Sequence, residues 1–381
     1  MTTARRFGVP IALAIVLLAL ALDFWNRPEP IGIDFHTYAA AARVGLRDGW
    51  SHIYDQQLVA AEQKDLVPGQ VAQPFLSPPP TAWLAALLSP LPFWPSYYLW
   101  AAVTFLSLAL ALLWASTETG LTRWVVAVAA VAPWWVLHAV HLGQVVPLVA
   151  AGVVLAWRLL RERRDVLAGL SLVLVALKPN TAFLVPFGVL VAGRFRAFAA
   201  WGIAGIIIAV AAVAAVGLDG MSSYIKQISG SLPAGADSLT LEGALGVSGP
   251  VALALRLAIV AAALAAAFRL RQSPGLAIAA AMLGSLLVAP YLHASDLCLL
   301  SAAAWIVWQE RRGLAWRVPL AAGWLAASPF LVSTNLSPNL HQWPLVELVL
   351  LAALVLEAWR PNRRREVALT GRADLGEPAT A

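Results

Sequence analysis

The stretch "PIGIDFHTY", residues 30–38, brings Asp34, His36, Thr37 and Tyr38 together in a chain that otherwise avoids ionisable groups. A carboxylate at a membrane edge can act as a general base if burial holds it near an incoming hydroxyl. His36 and Tyr38 would then be neighbours that shape its pocket. Asp34 can equally cap a helix expected over 36–47, because aspartate accepts from the free N–H groups of a first turn. Spacing alone leaves both readings open.

Three further stretches carry candidate chemistry. "LVALKPNTAFLVP" ends one apolar run and begins the next with almost no loop. Pro179 and Asn180 break the helix, so the following helix is expected to point its N-terminus outward beside Lys178. Free N–H groups, a positive dipole end and an ammonium together suit a phosphate. The plain alternative is a lysine that snorkels from a helix end. In "HAVHLGQVVP", His138 and His141 lie three apart, and Gln144 follows a turn later if the helix persists through Gly143. No nearby carboxylate or thiol completes a zinc set, so no metal is expected. Sugar or phosphate hydrogen bonding and polar packing both remain. In "APYLHASDLCLL", His293 and Asp296 open a helix, where Asp296 can simply favour the dipole.

The elements that must position these groups are membrane helices. The 381 residues are 60% hydrophobic and only 12% charged, about half the charge of a soluble domain. Apolar runs of roughly 17 to 25 residues recur along the chain, each long enough to cross a hydrocarbon core. Lipid satisfies no backbone polar group, so the spans must be helices. The expected fold class is an all-α polytopic membrane protein. Phe7–Leu22, after Arg5 and Arg6, has no small-residue cleavage site behind it and is expected to be a retained anchor. The net charge of +6 does not call for nucleic acid, because the basic residues sit in short loops between spans. The single cysteine, Cys298, permits no internal disulfide.

Arginine clusters at 5–6, 158–164, 194–196, 269–271, 311–317 and 360–365 mark the cytoplasmic side. Besides the anchor, spans are expected near 94–116, 121–138, 144–160, 165–178, 180–193, 197–217, 248–270, 275–290, 295–310, 315–333 and 343–360. The Pro-bounded segment "SPPPTAWLAALLSPLP" is too short to span and is expected to be re-entrant or interfacial. The count is then about 12 spans, within roughly 11 to 13, with both termini cytoplasmic. All of 1–360 is expected to form a single transmembrane domain, with external loops at 24–80 and 218–246. The first carries surface helices near 36–47 and 54–66, and a charged tail at 361–381 is expected to be disordered. All six histidines, His36, His52, His138, His141, His293 and His341, then map to the external face.

These pieces, in this order, resemble a known family. An Asp and Tyr after the first span, "DGWSHIYD", "FLSPPPTAWLAALLSPLP", "HLGQVVPLV", "AGLSLVLVALKPN" and "APYLHASDL" are similar to glycosyltransferase family 87. That group contains the mycobacterial phosphatidylinositol mannosyltransferases. The likeness covers roughly residues 24 to 310, and each motif is weak alone.

The resemblance implies a GT-C membrane fold, a polyprenyl-phosphomannose donor, a lipid or glycan acceptor and no cofactor. It places a catalytic base at Asp34. It places donor-phosphate contacts at Lys178, Gln144 and His293; beside them His36, Tyr38, Tyr54, His141 and Asn180 are the expected substrate contacts. "SPPP" departs from the commoner aromatic-Pro-Pro form. The implied setting is a bacterial inner (plasma) membrane with the site on the extracytoplasmic face. Two other classes stay open on sequence: a lipid or sugar transporter or flippase, and a non-catalytic subunit of an envelope assembly complex. A transporter would want charged or broken helices at mid-membrane and paired halves, and no clear internal symmetry is present.

Overall fold

The computed structural model describes residues 18, 20, 22–27, 29–231, 239–333 and 337–360. Among them the regular secondary structure is all helix, with no strand. Most of the expected first span and the whole expected tail, 361–381, lie outside the described residues.

Helices α1 (Ile33–Arg47), α2 (Gln56–Leu66) and α3 (Pro79–Ala86) form the first group. They are followed by α4 (Phe93–Ala115), α5 (Gly120–Val131), α6 (Trp134–Leu142), α7 (Val146–Arg161) and α8 (Asp165–Leu172). Next come α9 (Leu184–Val191), α10 (Phe195–Ser231), α11 (Leu241–Leu245), α12 (Gly249–Arg269) and α13 (Pro274–Val288). The last four are α14 (Cys298–Glu310), α15 (Leu314–Ala326), α16 (Pro329–Ser333) and α17 (Trp343–Trp359).

Four described helices are long and apolar enough to cross a membrane: Phe93–Ala115, Phe195–Ser229, Gly249–Arg269 and Leu340–Trp359. A fifth crossing results if α5 and α6, bent by 64° at their junction, count as one broken span. The protein is a multi-pass membrane protein.

Burial sorts the helices. α13 is apolar and small on every side, and each of its residues from Gly275 to Val288 is buried. A helix apolar all round belongs at a centre, and α9, α12, α14 and α17 pack around it. α10 is the opposite case. Ile203, Ile206, Ile207 and Val210 are each more than 60% exposed, which in a membrane protein means exposed to lipid.

The short Pro-bounded segment forms α3, which at about 1.5 Å per residue is too short to cross. It packs against α1 and buries Thr81, Ala82 and Ala85. α2 opens with a side-chain cap, Asp55 accepting from the N–H groups of Gln57 and Leu58. The expected loop at 218–246 is different in kind. After a break at Gly217 (φ 72°, ψ 172°) the chain is helical again to Ser231. Met221, Tyr224 and Ile228 repeat at helical spacing there, and the Gly- and Ser-rich composition hid that stripe.

Candidate active site

Asp34 owes its place to two glycines. Gly32 precedes α1 with φ 72°, and its N–H donates to the carbonyl of His141 at the end of α6, 2.8 Å away. Gly143 ends α6 with φ 78°, and a Cβ there would stand 2.5 Å from Cβ of Phe35. Only glycine allows this approach at that φ without strain. Tyr97 and Trp100 of α4 hold the joint: Tyr97 Oη donates to the carbonyl of His141 (2.9 Å) and Trp100 Nε1 to that of Gly143 (2.8 Å). The start of α1 is thereby pinned against the end of α6, and Asp34 faces Gln144.

Gln144 is buried, and both ends of its amide are engaged. Nε2 donates to Asp34 Oδ2 at 2.6 Å, while Oε1 accepts from Tyr38 Oη at 3.1 Å and from Lys178 Nζ at 3.3 Å. A carboxylate can only accept and an ammonium can only donate, so these partners fix which end of the amide faces which. Asp34 and Tyr38 are four apart on α1 and share a face; both reach Gln144.

Lys178 sits in an extended kink (φ −151°) between the 3-10 turns Val173–Leu177 and Pro179–Thr181. Its Nζ lies 2.6 Å from Asp296 Oδ1. Asp296 is fully buried, and its other oxygen accepts from the backbone N–H of His293 at 2.9 Å. The expected helix N-terminus beside Lys178 is not formed. α9 begins only at Leu184, whose N–H donates to Ser285 Oγ (2.9 Å). Pro179 lacks an N–H and starts a 3-10 turn, so the α-helix resumes too far along to reach the ammonium.

Two cavities meet at this network. One, of about 360 Å³, is lined by Asp34, Tyr38, Gln144, Lys178, Asn180 and His293, with Gln73, Tyr224 and Tyr291. The other, of about 470 Å³, is lined by Asp34, Gln144, His293, His138, His341 and Glu29. Asp34, Gln73, Gln144 and His293 face both. Burial pushes the Asp34 carboxyl above its ordinary value of 3.8. Lys178, the Gln144 hydrogen bond and His293 pull it back down, and Asp296 adds to the rise.

The structure thus brings together Asp34, Tyr38, Gln144, Lys178, Asn180 and His293. Asn180 Nδ2 donates to the carbonyl of Tyr291 at 3.4 Å. Three other candidates stand outside both cavities. His36 is two residues from Asp34 and so points away from it. It is buried between α1 and α2, with Nε2 donating to the carbonyl of Gln63 at 2.7 Å, and burial lowers its pKa below 6.5. His141 is buried with Nε2 on the carbonyl of Glu29 (2.8 Å) and its ring against Phe24. Tyr54 backs the cavity wall: Oη donates to the carbonyl of Ser77 (2.9 Å), and its ring packs 4.6 Å from Tyr224.

Sequence reasoning missed the Lys178–Asp296 pair, having read Asp296 only as a helix-dipole residue. It also missed Gln73, Tyr224 and Tyr291. The one signal for Tyr224 was its place on the 221/224/228 stripe. Among the described residues no group of three or more His, Cys, Asp or Glu could hold a metal.

Comparison with known proteins gives one assignment. No curated protein and no solved structure matches the chain. The profile of glycosyltransferase family 87 matches residues 75–292, more than half of the chain. Gln144 and Lys178 lie inside that stretch, Asp34 lies before it, and His293 falls just past its end. The protein is therefore a membrane glycosyltransferase and belongs to glycosyltransferase family 87.

Proposed function

We propose that the protein transfers a hexose, mannose, from a polyprenyl-phosphate-sugar to an extracytoplasmic lipid or glycan acceptor, with inversion and with Asp34 as general base. The observation that carries this reading is a single one. The Asp34 carboxylate and the Lys178 ammonium are held on the two ends of one amide, Gln144, at the meeting of two cavities.

The donor occupies the cavity that Lys178 lines. Lysine has three N–H donors; one is turned to Asp296 and one to Gln144. The third takes a donor phosphate oxygen. The acceptor hydroxyl enters from the His138 and His341 side and gives its proton to Asp34. Its oxygen bonds to the anomeric carbon as the bond from that carbon to the phosphate oxygen breaks. The phosphate leaves with the electron pair, and Lys178 meets its charge. Among the described residues Asp34 is the only carboxylate lining the donor cavity. One base facing a phosphate leaving group is the arrangement a single displacement, with inversion, uses.

The GT-C fold, the count of about 12 spans and the bacterial inner-membrane setting belong to the same proposal. The shorter apolar helices Asp165–Leu177 and Pro274–Val288 add to the long spans in its support. The test is transfer of label from radioactive polyprenyl-phosphomannose by the purified protein. Asp34→Asn keeps the shape but cannot take the proton. It should bind donor and lose about 100- to 10,000-fold in rate. Transfer by Asp34→Asn at the wild-type rate would remove Asp34 as the base.

A further inference from the structure

Four residues face both cavities at the site, and Asp34, Gln144 and His293 are three of them. The fourth is Gln73. It belongs to a stretch between α2 and α3, residues 71–76, that has no regular secondary structure. Pro74 follows it, and a residue before proline is held extended by clash with the ring.

The stretch is held from one side by α2. Gln63 Oε1 accepts from the backbone N–H of Gln73 at 2.9 Å, and Gln63 Nε2 donates to the carbonyl of the same residue at 2.7 Å. Gln56 repeats the arrangement on Phe75, accepting from its N–H at 3.1 Å and donating to its carbonyl at 3.3 Å. Gln56 and Gln63 are seven apart and share a face of α2. Two side-chain amides thus supply the hydrogen bonds that a partner strand would. Gln63 is fully buried, and its carbonyl accepts from Nε2 of His36, two residues beyond Asp34 on α1. The base and the stretch that carries Gln73 are therefore tied into one scaffold.

The backbone of Gln73 is taken up by Gln63, so what this residue turns to the cavities is its side chain. Gln73 is exposed, and among the described residues its carboxamide has no hydrogen-bond partner. Gln144, the other amide common to both cavities, is engaged at both ends. A free carboxamide offers a donor and an acceptor side by side. A phosphate can only accept, and would meet the amide oxygen as a second acceptor. A sugar hydroxyl both gives and takes a hydrogen bond, so neighbouring hydroxyls can use both halves of the amide. The body that lies where the cavities meet, between the base Asp34 and the phosphate site at Lys178, is the hexose whose anomeric carbon changes partner.

We propose that Gln73 is a specificity-determining residue, whose free carboxamide hydrogen-bonds hydroxyls of the transferred hexose at the junction of the two cavities. This rests on the assignment of Asp34 as base and of Lys178 to the donor phosphate.

The test is a cycle between side chain and sugar. It uses the full-length protein in nanodiscs, a crude extract of the host membrane as acceptor source, and polyprenyl-phosphomannose beside its 2-, 3-, 4- and 6-deoxy forms. Release of polyprenyl phosphate gives kcat/KM for each donor. In the wild-type protein at least one deoxy donor should lose about fivefold to tenfold, the worth of one hydrogen bond. Gln73→Met keeps the length of the side chain and removes the amide. It should use the parent donor about fivefold to tenfold less well and that same deoxy donor within about twofold of the parent, because the hydrogen bond is already gone. The backbone bonds to Gln63 survive the substitution, so the melting temperature should hold. A merely structural role for Gln73 would slow every donor alike and leave the deoxy penalty in place.

Three results overturn the proposal and leave the glycosyl-transfer reading intact. One is a wild-type protein that uses every deoxy donor as well as the parent. Another is a deoxy penalty in Gln73→Met as large as in wild type, which gives the hydroxyl to a different residue. The third is a raised acceptor KM in Gln73→Met with donor discrimination unchanged, which moves Gln73 to the acceptor. No consumption of the parent donor by the wild-type protein brings down both readings together.

Discussion

The side-chain amide of Gln144 donates to Asp34 Oδ2 across 2.6 Å and accepts from Lys178 Nζ with its other end. A carboxylate and an ammonium are thus held apart on a rigid spacer instead of pairing directly. A direct ion pair would stabilise the ionised carboxylate and weaken it as a base. Lys178 takes Asp296 as its ion-pair partner, 2.6 Å away, and Asp34 stays free to collect a proton.

The pH dependence of transfer should show this. A base works only when ionised, and burial raises the Asp34 pKa above 3.8. The acid limb of the rate profile should therefore lie above pH 3.8, with rate lost as pH falls through the raised value. Gln144→Glu removes the amide donor to Asp34 and places a second carboxyl beside it. Both changes disfavour ionised Asp34, so the acid limb should move to higher pH while kcat recovers in part under alkaline conditions. A Gln144→Glu profile that coincides with wild type would mean Asp34 is not the titrating base.

The α1–α6 joint can be tested without touching a group in the cavities. Gly143→Ala places a methyl 2.5 Å from Phe35 Cβ at a φ of 78°. The crowded pair must separate, and displacement of a catalytic group by about 1 Å can cost on the order of 100-fold in rate. The expected result is a lower kcat in a protein that still inserts and stays monodisperse in detergent. Full kcat in Gly143→Ala would show that Asp34 does not depend on this joint.

Much of this was legible in the sequence, and the failures have identifiable causes. Membrane class follows from the apolar runs, and the helices at 33–47 and 56–66 stand where helices near 36–47 and 54–66 were expected. Helix geometry, had it been applied within "DFHTY", would have separated Asp34 and Tyr38, which share a face, from His36, which cannot. The His138–His141–Gln144 stripe fails because Gly143 turns left-handed and redirects Gln144 out of the helical register. The Lys178–Asp296 pair spans more than a hundred residues of chain, and no local pattern announces it. The helix after Gly217 was masked by small and polar residues around a thin apolar stripe.

Orientation in the membrane is open to direct labelling. Cys298 is buried and should stay silent. A cysteine placed at Ser231, near the Tyr224 wall of the donor cavity, should react in intact cells with an impermeant thiol reagent, once any outer membrane is made permeable. A cysteine at Arg163 should react only after lysis, because that arginine-rich loop is expected to be cytoplasmic. The reverse pattern would put the cavities on the cytoplasmic side and end the extracytoplasmic reading.

The role of Lys178 needs a paired experiment, because the ammonium has two tasks. Lys178→Met by itself strands the fully buried Asp296 carboxylate. Breaking a buried pair from one side costs about 3 to 5 kcal/mol, so lost activity in that variant could reflect lost stability. Asp296→Asn removes the second charge and keeps an oxygen for the His293 N–H. The double variant Lys178→Met/Asp296→Asn should therefore regain at least half of the fall in melting temperature seen in Lys178→Met. Donor binding should not recover with it. The phosphate loses a charged hydrogen bond worth about 1.5 to 3 kcal/mol, so donor KM should stay raised roughly 10- to 150-fold in both variants. Recovery of stability and of donor KM together in the double variant would confine Lys178 to neutralising Asp296, and the donor phosphate would need another partner.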